Sequence, residues 1–115
     1  MENLFATLQA IVSASKVIID RPKGSAHPRF PDYIYPLDYG YLEGTKSQDG
    51  GGIDVWIGSG DQQKISGLLV IADGLKKDSE IKVLLGCDKQ EMNLALKKSS
   101  QGDMSAALIE NGEIR

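Results

Sequence analysis

Two hydrophobic rhythms alternate along the chain. Near its start, Leu4, Phe5, Leu8, Ile11 and Val12 fall at i, i+1, i+4, i+7 and i+8, one face of an amphipathic helix. Lys16-Val17-Ile18-Ile19-Asp20 then reads as a strand, ended by Arg21-Pro22. From Ile53 to Gly58 the rhythm has period two. Ile53, Val55 and Ile57 share one face, and Asp54 with Trp56 takes the other. Ile65 to Asp73 and Ser79 to Gly86 predict two further strands, separated by the polar turn Gly74-Leu75-Lys76-Lys77-Asp78. Asp88 can cap a second helix, with Glu91 in the capping-box position and Met92, Ala95 and Leu96 as its apolar face. Ser99 to Arg115 is weakly patterned and predicts a loop and one short element.

Between the first strand and Ile53 the sequence changes character. All four prolines lie between Pro22 and Pro36, so this stretch is loop-rich. Five of the seven aromatic residues, Phe30, Tyr33, Tyr35, Tyr39 and Tyr41, crowd into twelve positions, which makes it a packing centre as well. Asp49-Gly50-Gly51-Gly52 marks a turn. Short strands with polar turns, flanked by helices, predict a small α+β protein on a partly open barrel or strongly bent sheet.

Composition narrows the function classes. At 115 residues the chain is expected to form a single domain spanning 1–115. A net charge of −3 lacks the basic footprint of a nucleic-acid binder. The single Cys87 excludes an internal disulfide and a multi-cysteine zinc site, and the cytoplasm is the default compartment. No apolar run approaches the ~20 residues that cross a bilayer. Glu2 stands where a signal peptide would be basic, and Asn3, Thr7 and Gln9 interrupt the apolar stretch, so no membrane segment is expected. The first helix therefore covers a core or a partner, and a homo-oligomer is compatible with its apolar face.

The carboxylates carry the chemistry. Asp20 ends a strand, Asp49 and Asp54 flank three glycines, Asp73 and Asp78 bracket the next turn, and Glu80 follows. Oxygen ligands from several strand ends suit a hard cation such as Mg²⁺. Turn aspartates equally cap and hydrogen-bond their own backbone. Arg21, Lys23 and Arg29, near Tyr35, Tyr39 and Tyr41, supply the cations and hydroxyls that bind phosphate oxygens. A solvated surface for the cations, and core packing for at least two of the four tyrosines, are the plainer alternatives. His27 is the only histidine and fits a surface or loop-packing role. Cys87 follows an apolar strand and fits a buried small hydrophobe. The chain has no P-loop, no G-x-G-x-x-G and no G-x-S-x-G.

Tyr35-Pro36-Leu37-Asp38-Tyr39-Gly40-Tyr41, then Thr45, then Asp49-Gly50-Gly51-Gly52-Ile53-Asp54-Val55, resembles the family I soluble inorganic pyrophosphatases. Their hallmark is Y-P-x-N-Y-G-Y followed by D-G-D-P-x-D. Gly67 to Lys82 resembles their G-x-L-x-x-x-D-x-x-x-x-D stretch, and Ile19-Asp20-Arg21-Pro22 the strand carrying their first acidic residue. The match covers about residues 16–86 and is nearest to a short bacterial branch with the run R-P-x-G-S-x-H-P-R.

The resemblance implies an OB-like, partly open β-barrel with flanking N- and C-terminal helices, and Mg²⁺-dependent hydrolysis of diphosphate, a small-molecule substrate, to two phosphates. It further implies Asp49, Asp54 and Asp78 as principal metal ligands, with Asp73 and Asp20 near a metal. Asp49 and Asp54 would be central to catalysis, and Arg29 and Tyr39 would contact phosphate. The departures are specific. The middle Asp of D-G-D, which in the family helps activate the attacking water, is Gly51, and the Pro is Gly52. The strand pair carrying a phosphate-binding arginine is missing between Phe30 and Tyr35, and a C-terminal Tyr-Lys phosphate pair has no counterpart. The readings are a diphosphatase, a related phosphoester hydrolase, a catalytically impaired module binding a metal–phosphate ligand or a protein partner, and a structural subunit of a larger assembly.

Overall fold

A computed structural model of the chain describes residues 1–112. Helix α1, Glu2–Ser13, buries Phe5 and Val12 of its apolar stripe. Gln9, on its flank, ties it to the sheet. Its Nε2 donates to the Gln63 carbonyl at 2.6 Å, and its Oε1 accepts from the Ile65 N–H at 3.2 Å.

Six strands follow: β1 Val17–Arg21, β2 Asp38–Leu42, β3 Ile53–Ile57, β4 Ile65–Asp73, β5 Asp78–Leu85 and β6 Met104–Glu110. They form one sheet in the order β1-β2-β3-β5-β4-β6, antiparallel except for the parallel pair β3–β5. Helix α2, Lys89–Lys98, joins β5 to β6. The architecture is α+β, and the sheet is mixed and open, with β1 and β6 as its edges. The capping box at α2 forms as its spacing predicts: Glu91 N–H donates to Asp88 Oδ1 at 2.8 Å, and Asp88 N–H to Glu91 Oε1 at 3.0 Å.

Two elements gain a type that the pattern leaves open. The one short element expected in the tail is a seven-residue strand, β6, paired with β4 from Gly67↔Glu110 to Asp73↔Met104. Its alternation is muted because Ala106 and Ala107 hold positions where large residues would announce a strand. The tyrosine-rich segment after Pro36 is strand β2, not loop. Tyr39 and Tyr41 take one face, and Gly40 with Leu42 the other, so a glycine hides the period of two. Gly40 is required by close approach. A Cβ there would lie 1.7 Å from the Ile18 carbonyl oxygen of β1.

Because side chains alternate along each strand, the sheet buries two different cores. On the α1 face, Phe5 and Val12 pack with Leu42, Val55, Ile57, Ile65, Leu68, Val83 and Leu85. On the other face, Trp56, Leu69, Ile71 and Leu84 pack with Met92 and Ala95 of α2 and with Tyr35 and Leu37 of the proline-rich loop. Cys87 belongs to this second core and is buried as expected. Burial, then the nearby Glu91 and Asp88 charges, push its thiol up to about 12.

Candidate functional site

The parallel pairing of β3 and β5 sets Trp56 against Leu84. Two residues back on each strand, Asp54 and Lys82 therefore stand side by side on the α2 face. The antiparallel pairing of β2 with β3 sets Tyr39 against Trp56. The three polar side chains meet in a row. Lys82 Nζ donates to Tyr39 Oη at 2.7 Å, and Tyr39 Oη donates to Asp54 Oδ2 at 2.7 Å. Lys82 also lies 4.7 Å from the Tyr39 ring centroid and 3.5 Å from Glu80 Oε1.

The row sits where the second core meets solvent, and its chemistry follows. The Lys82 side chain is 17% exposed and that of Glu80 41%. Burial, and then the negative charge of Asp54, raise Tyr39 far above the ordinary phenol range, so it remains a donor to Asp54. Trp56 meets Tyr39 edge to face at 4.6 Å, and among the described residues its buried indole N–H has no hydrogen-bond partner. This single tryptophan is thus a built-in optical reporter of the row.

Asp49 stands in the neighbouring glycine loop. Its carboxylate accepts from the Ser47 hydroxyl and from the Gly51 N–H at 3.0 Å. These bonds, the Ser47 one first, hold it below the usual carboxylate range, and the Lys82 charge lowers it further. Asp49 is therefore a firmly ionised, fully exposed carboxylate within electrostatic reach of Lys82. Gly50 supplies the loop's left-handed turn at φ +89°, while a Cβ at Gly51 would meet only Asp49 Oδ1, at 3.4 Å. Gly51 thus has room for a side chain.

No family model matches this sequence, and no curated protein matches it. Solved structures do match. The chain superposes on an inorganic pyrophosphatase from Neisseria gonorrhoeae with TM-score 0.63 and 16% identity, over 85% of this chain and 83% of that one. It superposes on the inorganic pyrophosphatase of Helicobacter pylori with TM-score 0.56 and 17% identity, over 87% and 86%. An inorganic phosphatase from Anaplasma phagocytophilum matches with TM-score 0.55 and 15% identity, over 82% and 81%. The chain has the inorganic pyrophosphatase fold.

On this fold the residues singled out from sequence fall in separate places. Asp54 and Tyr39 are bonded to each other, while Asp49 is bonded to Ser47 and Gly51 within its own loop. Asp73 and Asp78 oppose each other at the tip of the β4–β5 hairpin. Asp73 Oδ1 caps that turn, accepting from the Leu75 and Lys76 N–H groups at 3.0 and 3.1 Å, as an ordinary turn aspartate does. Asp20 is exposed at the bulge between Ile19 and Arg21, which the β1–β2 register skips. Arg29 lies apart, lining a cavity with Phe30, Tyr33 and Lys98 that Tyr39 and Asp54 do not line. Among the described residues, no three Asp, Glu, His or Cys side chains gather in a group able to hold a metal.

Lys82 and Glu80 complete the row, and the sequence reading passes over Lys82. The signal is the alternation Asp78, Glu80, Lys82, Leu84 on one face of β5. Only the parallel register with β3 converts that alternation into a neighbour for Asp54.

Proposed function

We propose that the chain hydrolyses inorganic diphosphate to two phosphates in a Mg²⁺-dependent reaction at the Lys82–Tyr39–Asp54 row. The observation that carries this reading is the row itself: a cation and a carboxylate joined through one phenol. The pyrophosphatase fold supports it. The proposal treats the open sheet as a reduced OB-like barrel within one domain spanning 1–115.

Carboxylate oxygens are the donors that Mg²⁺ takes, and the described residues gather no group of three. The ion commonly takes one or two carboxylates plus substrate phosphates and keeps several waters. Asp54 and Asp49 would be those carboxylates. When bound, Mg²⁺ neutralises phosphate charge and makes its water more acidic. The chain's own residues do the positioning. Tyr39 spends its one proton on Asp54 and aims that carboxylate. Lys82 spends one N–H on Tyr39 and keeps others for a phosphate oxygen. It takes the phosphate-side role that the resemblance implies for Arg29.

The test is phosphate release from diphosphate over millimolar Mg²⁺. Asp54→Asn keeps an acceptor for Tyr39, so the fold should survive, while Mg²⁺ affinity falls and turnover drops by about 10²-fold. No release above a protein-free control defeats the enzymatic reading. A second reading, a module that binds Mg²⁺–diphosphate without turning it over, draws on Gly51, where no carboxylate stands to accept a proton from water. Calorimetric binding without phosphate release identifies it.

A further inference from the structure

The cavity that Arg29 lines belongs to a different part of the surface from the Lys82–Tyr39–Asp54 row, and its chemistry is different. It has a volume of about 400 Å³ and is bounded by Arg29, Phe30, Asp32, Tyr33, Lys98 and Gln101. It is an open groove on the surface, not an enclosed cavity. The loop forming one wall is a miniature hairpin. Ala26 bridges Ile34, His27 N–H donates to the Tyr33 carbonyl at 2.9 Å, and Tyr33 N–H donates to the Phe30 carbonyl at 2.9 Å. Pro28 and Pro31 fix φ on either side of Arg29 and Phe30. The wall is therefore preorganised, not a loose loop tip.

The groups it presents are complementary to one kind of ligand. Phe30 packs on the His27 ring at 5.0 Å yet stays 61% exposed at the tip. Lys98 Nζ stands 4.1 Å from the Tyr33 ring centroid and lines the same cavity as Arg29. Among the described residues, the Arg29 guanidinium, the Lys98 ammonium and the Asp32 carboxylate enter no ion pair. Two cations, one carboxylate and one uncovered aromatic face thus share a single opening on a chain of net charge −3.

From this arrangement we propose that the Arg29–Phe30–Lys98 cavity binds a nucleoside phosphate. Arg29 and Lys98 hold the phosphate by charge-assisted hydrogen bonds. The base stacks on Phe30, and Asp32 accepts from sugar hydroxyls. The proposal does not rest on diphosphate hydrolysis, because the cavity shares no lining residue with the row around Asp54.

Titration of the full-length protein with adenosine monophosphate, adenosine and inorganic phosphate, without Mg²⁺, tests it. Calorimetry supplies the affinities, and amide chemical shifts locate the site. Adenosine monophosphate should bind more tightly than either of its parts and shift the amides of residues 29–33 and 98–101. Phe30→Ala, a surface change, should weaken adenosine monophosphate about tenfold and leave inorganic phosphate unchanged. Lys98→Met should weaken adenosine monophosphate and inorganic phosphate alike and leave adenosine unchanged. The proposal is overturned if adenosine monophosphate binds no better than inorganic phosphate, if Phe30→Ala has no effect, or if the shifts fall on Asp54 and Lys82 instead. A protein that never hydrolyses diphosphate but binds adenosine monophosphate in this pattern still supports it.

Discussion

The two faces of the sheet are built from the same strands and behave as different materials. The α1 face is apolar throughout its buried cluster: Val12, Leu42, Val55, Leu68, Val83 and Leu85 are at most 1% exposed. None of these side chains titrates or donates. The α2 face buries comparable bulk in Trp56, Leu69, Leu84 and Met92, but it also takes in Tyr35, Tyr39 and Cys87, and it ends in Lys82 and Asp54. An apolar core gains stability in proportion to area removed from water. A core with polar members gains less, because each buried donor and acceptor must find a partner. The chain keeps stability on one face and places its ionisable groups at the rim of the other. Alternation along β2, β3 and β5 is what allows both on the same strands.

The strongest way to break this comparison is to remove the sheet that both faces share. Gly40→Ala places a methyl group 1.7 Å from a backbone carbonyl of β1. Neither atom belongs to a side chain that can rotate away, so β1 must leave the sheet. Circular dichroism and size-exclusion chromatography should show loss of the folded chain.

Substitutions confined to one face should then separate stability from function. Leu85→Ala opens a cavity in the α1 core, where Leu85 is fully buried, and should cost about 2–5 kcal/mol by urea unfolding. Its affinity for Mg²⁺–diphosphate, measured where the variant is folded, should match the parent. Tyr39→Phe keeps the ring on Trp56 but removes the hydroxyl linking Lys82 to Asp54. It should cost only about 1–3 kcal/mol, while Trp56 fluorescence and Mg²⁺–diphosphate affinity both change. Equal functional losses in the two variants would mean that the faces are not independent.

The smallest expected effect sharpens the same contrast through pH. Cys87 rises from an ordinary 9.0 to about 12 in the folded chain. The unfolded thiol therefore ionises first. Its contribution to stability is complete below about pH 9 and is lost as pH rises toward 12. Tyr33, pushed up to about 12 chiefly by burial, adds the same sign only above its ordinary 10.0. Between pH 9 and 10 the decline in unfolding free energy belongs mainly to the thiol, and Cys87→Ala should flatten it. No α1-face core substitution should alter that slope.

Local interactions made most elements legible from the sequence. The stripe Phe5–Val12, the period of two at Ile53–Ile57, the Ile65–Asp73 strand and the Asp88/Glu91 capping box each depend on residues within a few positions of one another, and each stands where expected. Elements that depend on distant partners were not legible. β2 is a strand because β1 and β3 flank it and Gly40 lets β1 approach, and β6 is one because β4 has a free edge.

The site divides the same way. The sequence supplied carboxylates and phenols near glycine turns, and the resemblance to the pyrophosphatases implied roles for Asp54, Asp49, Asp78 and Tyr39 among them. The same resemblance sets Asp73 near a metal, and in the fold Asp73 closes its own turn. Tertiary structure alone decided which members meet. The parallel β3–β5 register brings Lys82, 28 positions away in the chain, beside Asp54, and leaves Arg29 in a separate cavity. The physical reason is that residue type and short-range periodicity set what a side chain can do and which way it faces. Strand register, a long-range property, sets what it faces.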